Sequence, residues 1–151
     1  MFDHPLAIIG RRLAIAAHYQ NAHIEQILKP FDMTGPQFAL ANHLVRLGNP
    51  QRISTLAAAM ELQQPAISKI VRKFETEGWI KITDDQQDKR VRWVKAEPSL
   101  KTVLEEIYKH LKPDMEACFA DWSEAELTSF QTCLQRLGDW YETGKNNRRG
   151  S

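Results

Sequence analysis

The 151-residue chain is 26% charged and 42% hydrophobic, a one-domain length able to bury roughly 68–70% of its unfolded surface. Its two cysteines, Cys118 and Cys133, have no C-x-x-C spacing, which excludes a disulfide framework, and its apolar runs fall short of the ~18 residues that span a membrane. With no basic leader ahead of an apolar core at the N-terminus, the expected setting is cytoplasmic, with no membrane partner.

Pro5 suits the first turn of a helix, and Leu6, Ile9, Leu13, Ala16 or Ala17, Ile24, Ile27 and Leu28 trace an apolar side to about Pro30. Thr34-Gly35-Pro36-Gln37 has capping-box spacing, and Phe38, Ala41, Leu44 and Val45 carry a second helix to Gly48. After a strand residue at Ile53, Ser54 is placed to cap a short helix whose Leu56 and Met60 point inward. The link Glu61-Leu62-Gln63-Gln64 leads to Pro65, tolerated in a first helical turn because its missing N–H is not needed there. Ile67, Ile70, Val71 and Phe74 then recur at helical spacing, which leaves Pro65, Ser68, Lys69, Arg72 and Thr76 on the far side. Gly78 stops this helix by accepting the left-handed conformation.

Trp79, Ile80, Ile82 and Thr83, then Val91, Trp93 and Val94, favour two strands around the charged loop Asp84-Asp85-Gln86-Gln87-Asp88-Lys89-Arg90. Beyond Pro98, the residues Leu100, Leu104, Ile107 and Leu111 mark a long helix. In the last helix Ser123 and Glu126 form a second capping box, Trp122 is placed to staple onto Leu127, and Phe130, Leu134, Leu137, Trp140 and Tyr141 continue the stripe. Residues 145–151 are polar and read as a disordered tail.

The segment from Ile53 to Val94 reads as a device for holding a helix against DNA. A helix-turn-helix sets the N-terminal part of its second helix in the major groove, which calls for short polar and basic side chains on the outer face. Gln63, Gln64, Pro65, Ser68, Lys69, Arg72 and Lys73 are the candidates there, with Ser68 or Lys69 placed to read base edges. The hairpin is a wing. Its Arg90 can enter the narrow minor groove, Lys89 and Arg92 can reach phosphates, and Asp88 can orient the Arg90 guanidinium. A net charge of +1 would support this weakly if it were spread evenly. It is not: from Gln63 to Lys95 eight basic residues stand against five acidic ones, whereas Ala96 to Leu127 holds three basic and eight acidic residues.

These residues carry a resemblance. Leu56-Ala57, Gln64-Pro65-Ala66-Ile67-Ser68-Lys69, Phe74-Glu75-Thr76-Glu77-Gly78-Trp79-Ile80 and Asp88-Lys89-Arg90 together resemble the MarR family of winged-helix transcription regulators. The run Leu28-Lys29-Pro30-Phe31-Asp32-Met33-Thr34, with Gln64-Pro65, is similar to its SlyA-type branch. The chain departs from the family pattern in a wing loop with neither proline nor glycine, and in Ala96-Glu97-Pro98-Ser99 after the second strand.

The resemblance implies a mainly α fold with a small β wing, a single domain over 1–144 with the winged helix at about 34–95. The helices at about 5–30 and 98–143 would form a dimerisation lobe. The apolar and aromatic stripe from Leu127 to Tyr141 supports this from the residues, since a lone terminal helix would struggle to bury it. A two-fold homodimer would place two recognition helices ~34–36 Å apart on one palindromic operator of double-stranded DNA. The resemblance also implies a crevice for a small-molecule effector, an aromatic or amphipathic anion, near His18, Phe38 and Trp79.

The expected function is that of a repressor or anti-repressor at a promoter; the alternative is a winged helix used for protein–protein assembly. Salt dependence separates the two. The histidines His4, His18, His23, His43 and His110 show no i, i+3 or i+4 pairing, so neither a metal nor another cofactor is expected. Cys118 and Cys133 lack a cationic setting that would favour a redox switch, and no nucleophile, base and orienting residue form a catalytic motif.

Overall fold

The first helix, α1 (Pro5–Leu28), is capped by a histidine: the His4 ring accepts from the Leu6 N–H at 3.2 Å. In this computed structural model, which describes residues 2–149 and side chains as far as Gly144, only Leu28 of α1 is buried, while Leu6, Ile9, Ile15 and Tyr19 are exposed. A short 3₁₀ turn (Lys29–Phe31) follows and closes on Asp32, a non-glycine residue at φ 51°. The capping box expected at Thr34 is formed, with Gln37 N–H donating to Thr34 Oγ1 at 3.3 Å and Thr34 N–H donating to Gln37 Oε1 at 3.1 Å. It opens α2 (Gly35–Leu47), which ends on Gly48 in the left-handed region.

The next elements correct the sequence reading by one or two residues. The first strand, β1, is Gln51–Arg52, and α3 (Ile53–Ala59) begins directly at its end. Ser54 therefore lies inside the helix and does not cap it; the N-cap is Arg52, which makes no side-chain capping bond. Pairing of Gln51 with Val94 and of Arg52 with Trp93 holds this backbone extended up to Arg52, so the helix can start no earlier than Ile53. The turn after α3 runs through Glu61 at φ 54°, with Leu62 N–H bonded to Ala57 O at 3.0 Å and Glu61 N–H to Ala58 O at 3.2 Å. That pair of bonds is a Schellman closure, normally a glycine's place.

Helix α4 (Gln64–Thr76) buries Ile67, Val71 and Phe74 and ends in a second Schellman closure on Gly78, φ 74°. Strands β2 (Ile80–Asp84) and β3 (Arg92–Ala96) form an antiparallel hairpin, and β1 joins the outer side of β3 to give the order β1-β3-β2. Val91 lies in the loop and not in the strand.

Residues 1–111 and 112–151 form two compact units. In the first, Leu28, Leu40, Leu44, Leu56, Ile67, Phe74 and Val94 join Leu100, Leu104, Ile107 and Leu111 of α5 (Pro98–Cys118) in one core. Trp79 belongs to that core, edge to face with Phe74 at 5.4 Å between ring centroids.

In the second unit, Ser123 and Glu126 form the expected capping box, both bonds at 3.1 Å, at the start of α6 (Glu124–Arg149). The Trp122 ring meets Phe119 at 5.1 Å and Phe130 at 5.2 Å. Leu127, Phe130, Leu134, Trp140 and Tyr141 are exposed, and Leu137 is half-buried. Of the tail expected to be disordered at 145–151, residues 145–149 continue α6, and 150 and 151 lie outside the described residues. Among the described residues, no helix is long and apolar enough to cross a membrane.

Candidate nucleic-acid interface

The apolar stripe of α4 fixes its rotation about its own axis, and with it the side turned to solvent. Gln63, Gln64, Pro65, Lys69 and Arg72 are exposed, and Ser68 is half-buried beside them. Among the described residues neither Lys69 nor Arg72 has an ion-pair partner, so both ammonium and guanidinium groups face water. Lys73 does not stand with this group. Its ammonium bonds to the Asp32 carbonyl, donates to Gln37 Oε1 at 3.1 Å and lies 3.6 Å from the Asp32 carboxylate, with the side chain only 26% exposed. It ties α4 to the entry of α2.

The wing solves the problem of turning without proline or glycine by using a carboxylate. Asp85 Oδ2 accepts from the backbone N–H groups of Gln87 (3.1 Å) and Asp88 (3.0 Å), while Oδ1 accepts from the Trp93 indole at 3.0 Å. An aspartate side chain that bonds the backbone two residues on mimics a turn. The indole bond and those two N–H groups hold the Asp85 carboxyl below the usual carboxylate range. The Arg52 guanidinium stacks over the face of the Trp93 ring at 5.2 Å.

Beyond this turn the second carboxylate acts as expected. Asp88 Oδ1 accepts from Arg90 Nε at 3.2 Å and Oδ2 from Nη2 at 3.2 Å, a fork-to-fork contact reinforced by the Arg90 backbone N–H at 3.0 Å. These bonds, the side-chain ones first, lower the Asp88 carboxyl as well. Two of the five guanidinium N–H donors are thereby used and three remain directed elsewhere. The Arg90 side chain is 91% exposed, Lys89 is exposed, and Arg92 lies 3.5 Å from the Asp84 carboxylate with its side chain half open. Asp85 and Arg52 are the organising residues that the sequence reading did not single out. The aspartate had a local signal, an Asx-turn placement before two polar residues, whereas the arginine had none because its partner is 41 positions away.

The residues matched to an effector crevice are not brought together. His18 is exposed on α1 with its ring against Tyr19 at 5.7 Å, and Trp79 is core. Phe38 lines a hollow of about 430 Å³ with Ile24, Met60 and Leu62, and it leans on Tyr108 at 5.9 Å. The one ionisable side chain lining that hollow is Glu25, which opposes an anionic occupant.

A helix-turn-helix followed by a hairpin that carries a clamped arginine at its tip defines the winged helix-turn-helix class. Residues 31–91 match the model of the MarR family. A MarR family protein from Bacillus stearothermophilus has the same fold at TM-score 0.77 and 20% identity, over 94% of this chain and 99% of that one. A MarR protein from Peptoclostridium difficile gives 0.74 at 16% identity, over 92% and 90%. A mutant MarR from E. coli, solved in complex with operator DNA, gives 0.67 at 16% identity, over 91% and 97%. The family match lies in the winged-helix part of the chain, and the solved structures share its fold.

Proposed function

We propose that this protein is a homodimeric, sequence-specific DNA-binding transcription regulator of the SlyA-like kind, a repressor or anti-repressor acting at a palindromic promoter site. The observation that carries the reading is the exposed Arg90 fork clamped by Asp88, on a chain whose α4 also turns Lys69 and Arg72 to solvent. An arginine fixed in that way suits the narrow minor groove, while α4 suits the major groove. The exposed aromatic and aliphatic side chains of α6, and those of α1, support a second copy as partner. Gln63, Gln64, Pro65, Ser68, Lys69 and Arg72 form the groove-facing set, Lys89, Arg90 and Arg92 the wing set, and Asp88 and Lys73 act by positioning. Release by a small amphipathic anion belongs to the same proposal, with its site elsewhere than the Glu25-bearing hollow at Phe38.

The test is a salt titration of binding to operator fragments selected from the source genome, repeated with Arg90→Ala. Binding through phosphates weakens steeply as salt rises. Arg90→Ala should lose about 1.5–3 kcal/mol, a ten- to hundred-fold drop, with the dimer still folded. Affinity and salt slope both unchanged would remove the wing from the interface, and binding insensitive to salt would favour a protein-assembly role.

A further inference from the structure

A second hollow, of about 630 Å³, is lined by residues of β2, β3 and the start of α5. Its walls are unusual in their charge. Lys81 of β2 and Lys95 of β3 are paired directly across the strands, and Lys101 from the first turn of α5 lines the same hollow. Like charges directly opposite each other in a sheet are destabilising. Neither Lys81 nor Lys95 has a carboxylate partner among the described residues, and Lys101 meets only Glu105 at 4.0 Å. One acidic group, Glu97, also lines the hollow, so three ammonium groups face one carboxylate. The lining also has apolar members, Val45, Pro50, Ala96 and Pro98, of which Val45 and Ala96 pack against the core.

Duplex DNA is a poorer occupant than a small molecule on geometric grounds. Lys81 and Lys95 each lie four residues from the ends of the wing loop, about 13 Å along the strands. A hollow lined by both apolar side chains and three ammonium groups matches a compact ligand with a flat hydrocarbon body and two negative charges. We infer that the hollow bounded by Lys81, Lys95 and Lys101 is a binding site for a small amphipathic dianion, such as an aryl phosphate or aryl dicarboxylate. Occupancy offsets the repulsion between the paired lysines, while the ring of the ligand covers Val45, Pro50 and Ala96. The site gives the anion of the proposed regulation a place and rests on that reading only in this respect, because the binding itself is measured without DNA.

The experiment is calorimetric titration of the free full-length protein with phenyl phosphate, inorganic phosphate and benzyl alcohol. Phenyl phosphate should bind saturably, at least about tenfold more tightly than either fragment alone. Lys81→Gln with Lys95→Gln should weaken it by about tenfold or more, and Lys112→Gln, outside the hollow, should leave it unchanged. Lys101→Glu serves as an independent variant with both strands intact and should weaken phenyl phosphate as well. Equal binding by wild type and both lysine variants, or inorganic phosphate binding as tightly as phenyl phosphate, overturns the site. A double variant that keeps phenyl phosphate binding but loses affinity for a duplex of arbitrary sequence at low salt, with a shallower salt slope, would reassign these lysines to the DNA backbone. Failure of the titration leaves the salt test of DNA binding standing, so the two readings fail separately.

Discussion

Helices α4 and α6 begin from the same kind of sequence signal and end in opposite circumstances. Both carry apolar residues at helical spacing, but Ile67, Val71 and Phe74 of α4 are buried within their own unit, whereas Leu127, Phe130, Leu134, Trp140 and Tyr141 of α6 remain exposed. A stripe states that a helix needs a partner surface; it does not state which chain supplies it. In α4 the filled stripe fixes the rotation of the helix and so aims Lys69 and Arg72 outward. In α6 the open stripe is what makes a second copy of the chain physically reasonable.

The sharpest way to break this comparison is to shorten one residue on each stripe. Phe74→Ala, in a fully buried ring position, should destabilise the chain by about 3–5 kcal/mol in denaturant unfolding. A loss well below this range would mean that α4 is not anchored as described. Leu134→Asp should act on assembly instead. Sedimentation should show the proposed dimer weakened by about 3 kcal/mol or more, since a charge would have to be buried unpaired, while unfolding of the dilute protein changes little. An unaltered dimer would take α6 out of the interface.

A smaller effect separates backbone from packing at the end of α4. Gly78 has φ 74°, and a Cβ added there would meet nothing within 4 Å. Gly78→Ala should therefore cost about 1–2 kcal/mol of pure torsional strain. Stability unchanged on thermal unfolding would show that this helix end can be rebuilt without a left-handed residue.

The smallest expected effect is local and depends on pH. The Asp85 carboxyl is lowered in the folded chain, chiefly by the Trp93 indole. The contribution of its bonds is therefore present above the ordinary aspartate value of about 3.9 and is lost as pH falls through the lower folded value. The Trp93 indole N–H resonance should move only in that acidic window, and Asp85→Asn should abolish the movement. A resonance that shifts identically in both proteins would sever this link.

How much of this could be read from residues alone depended on whether the partners are near in sequence. Thr34 with Gln37, Ser123 with Glu126, Gly78 and the Asp88–Arg90 pair were all legible, because each motif closes within five residues. The Ser54 cap failed because strand pairing with Trp93, 39 positions from Ser54 along the chain, decides where α3 begins. Lys73 read as a groove-facing cation because it adjoins Arg72; only the fold brings Asp32 and Gln37 to it. Phe38, His18 and Trp79 were matched to one crevice by resemblance, and their actual surroundings are a hollow, a solvent-facing helix side and the core.

The clamp on Arg90 has a thermodynamic consequence of its own. A free arginine carries about 2 kcal/mol of rotamer entropy, which a binding partner would ordinarily have to remove. Here the Asp88 fork and the backbone N–H restrict the guanidinium while the chain folds. Part of the ordering cost is thus shifted from the encounter to the folding reaction, and the tip meets its target already shaped.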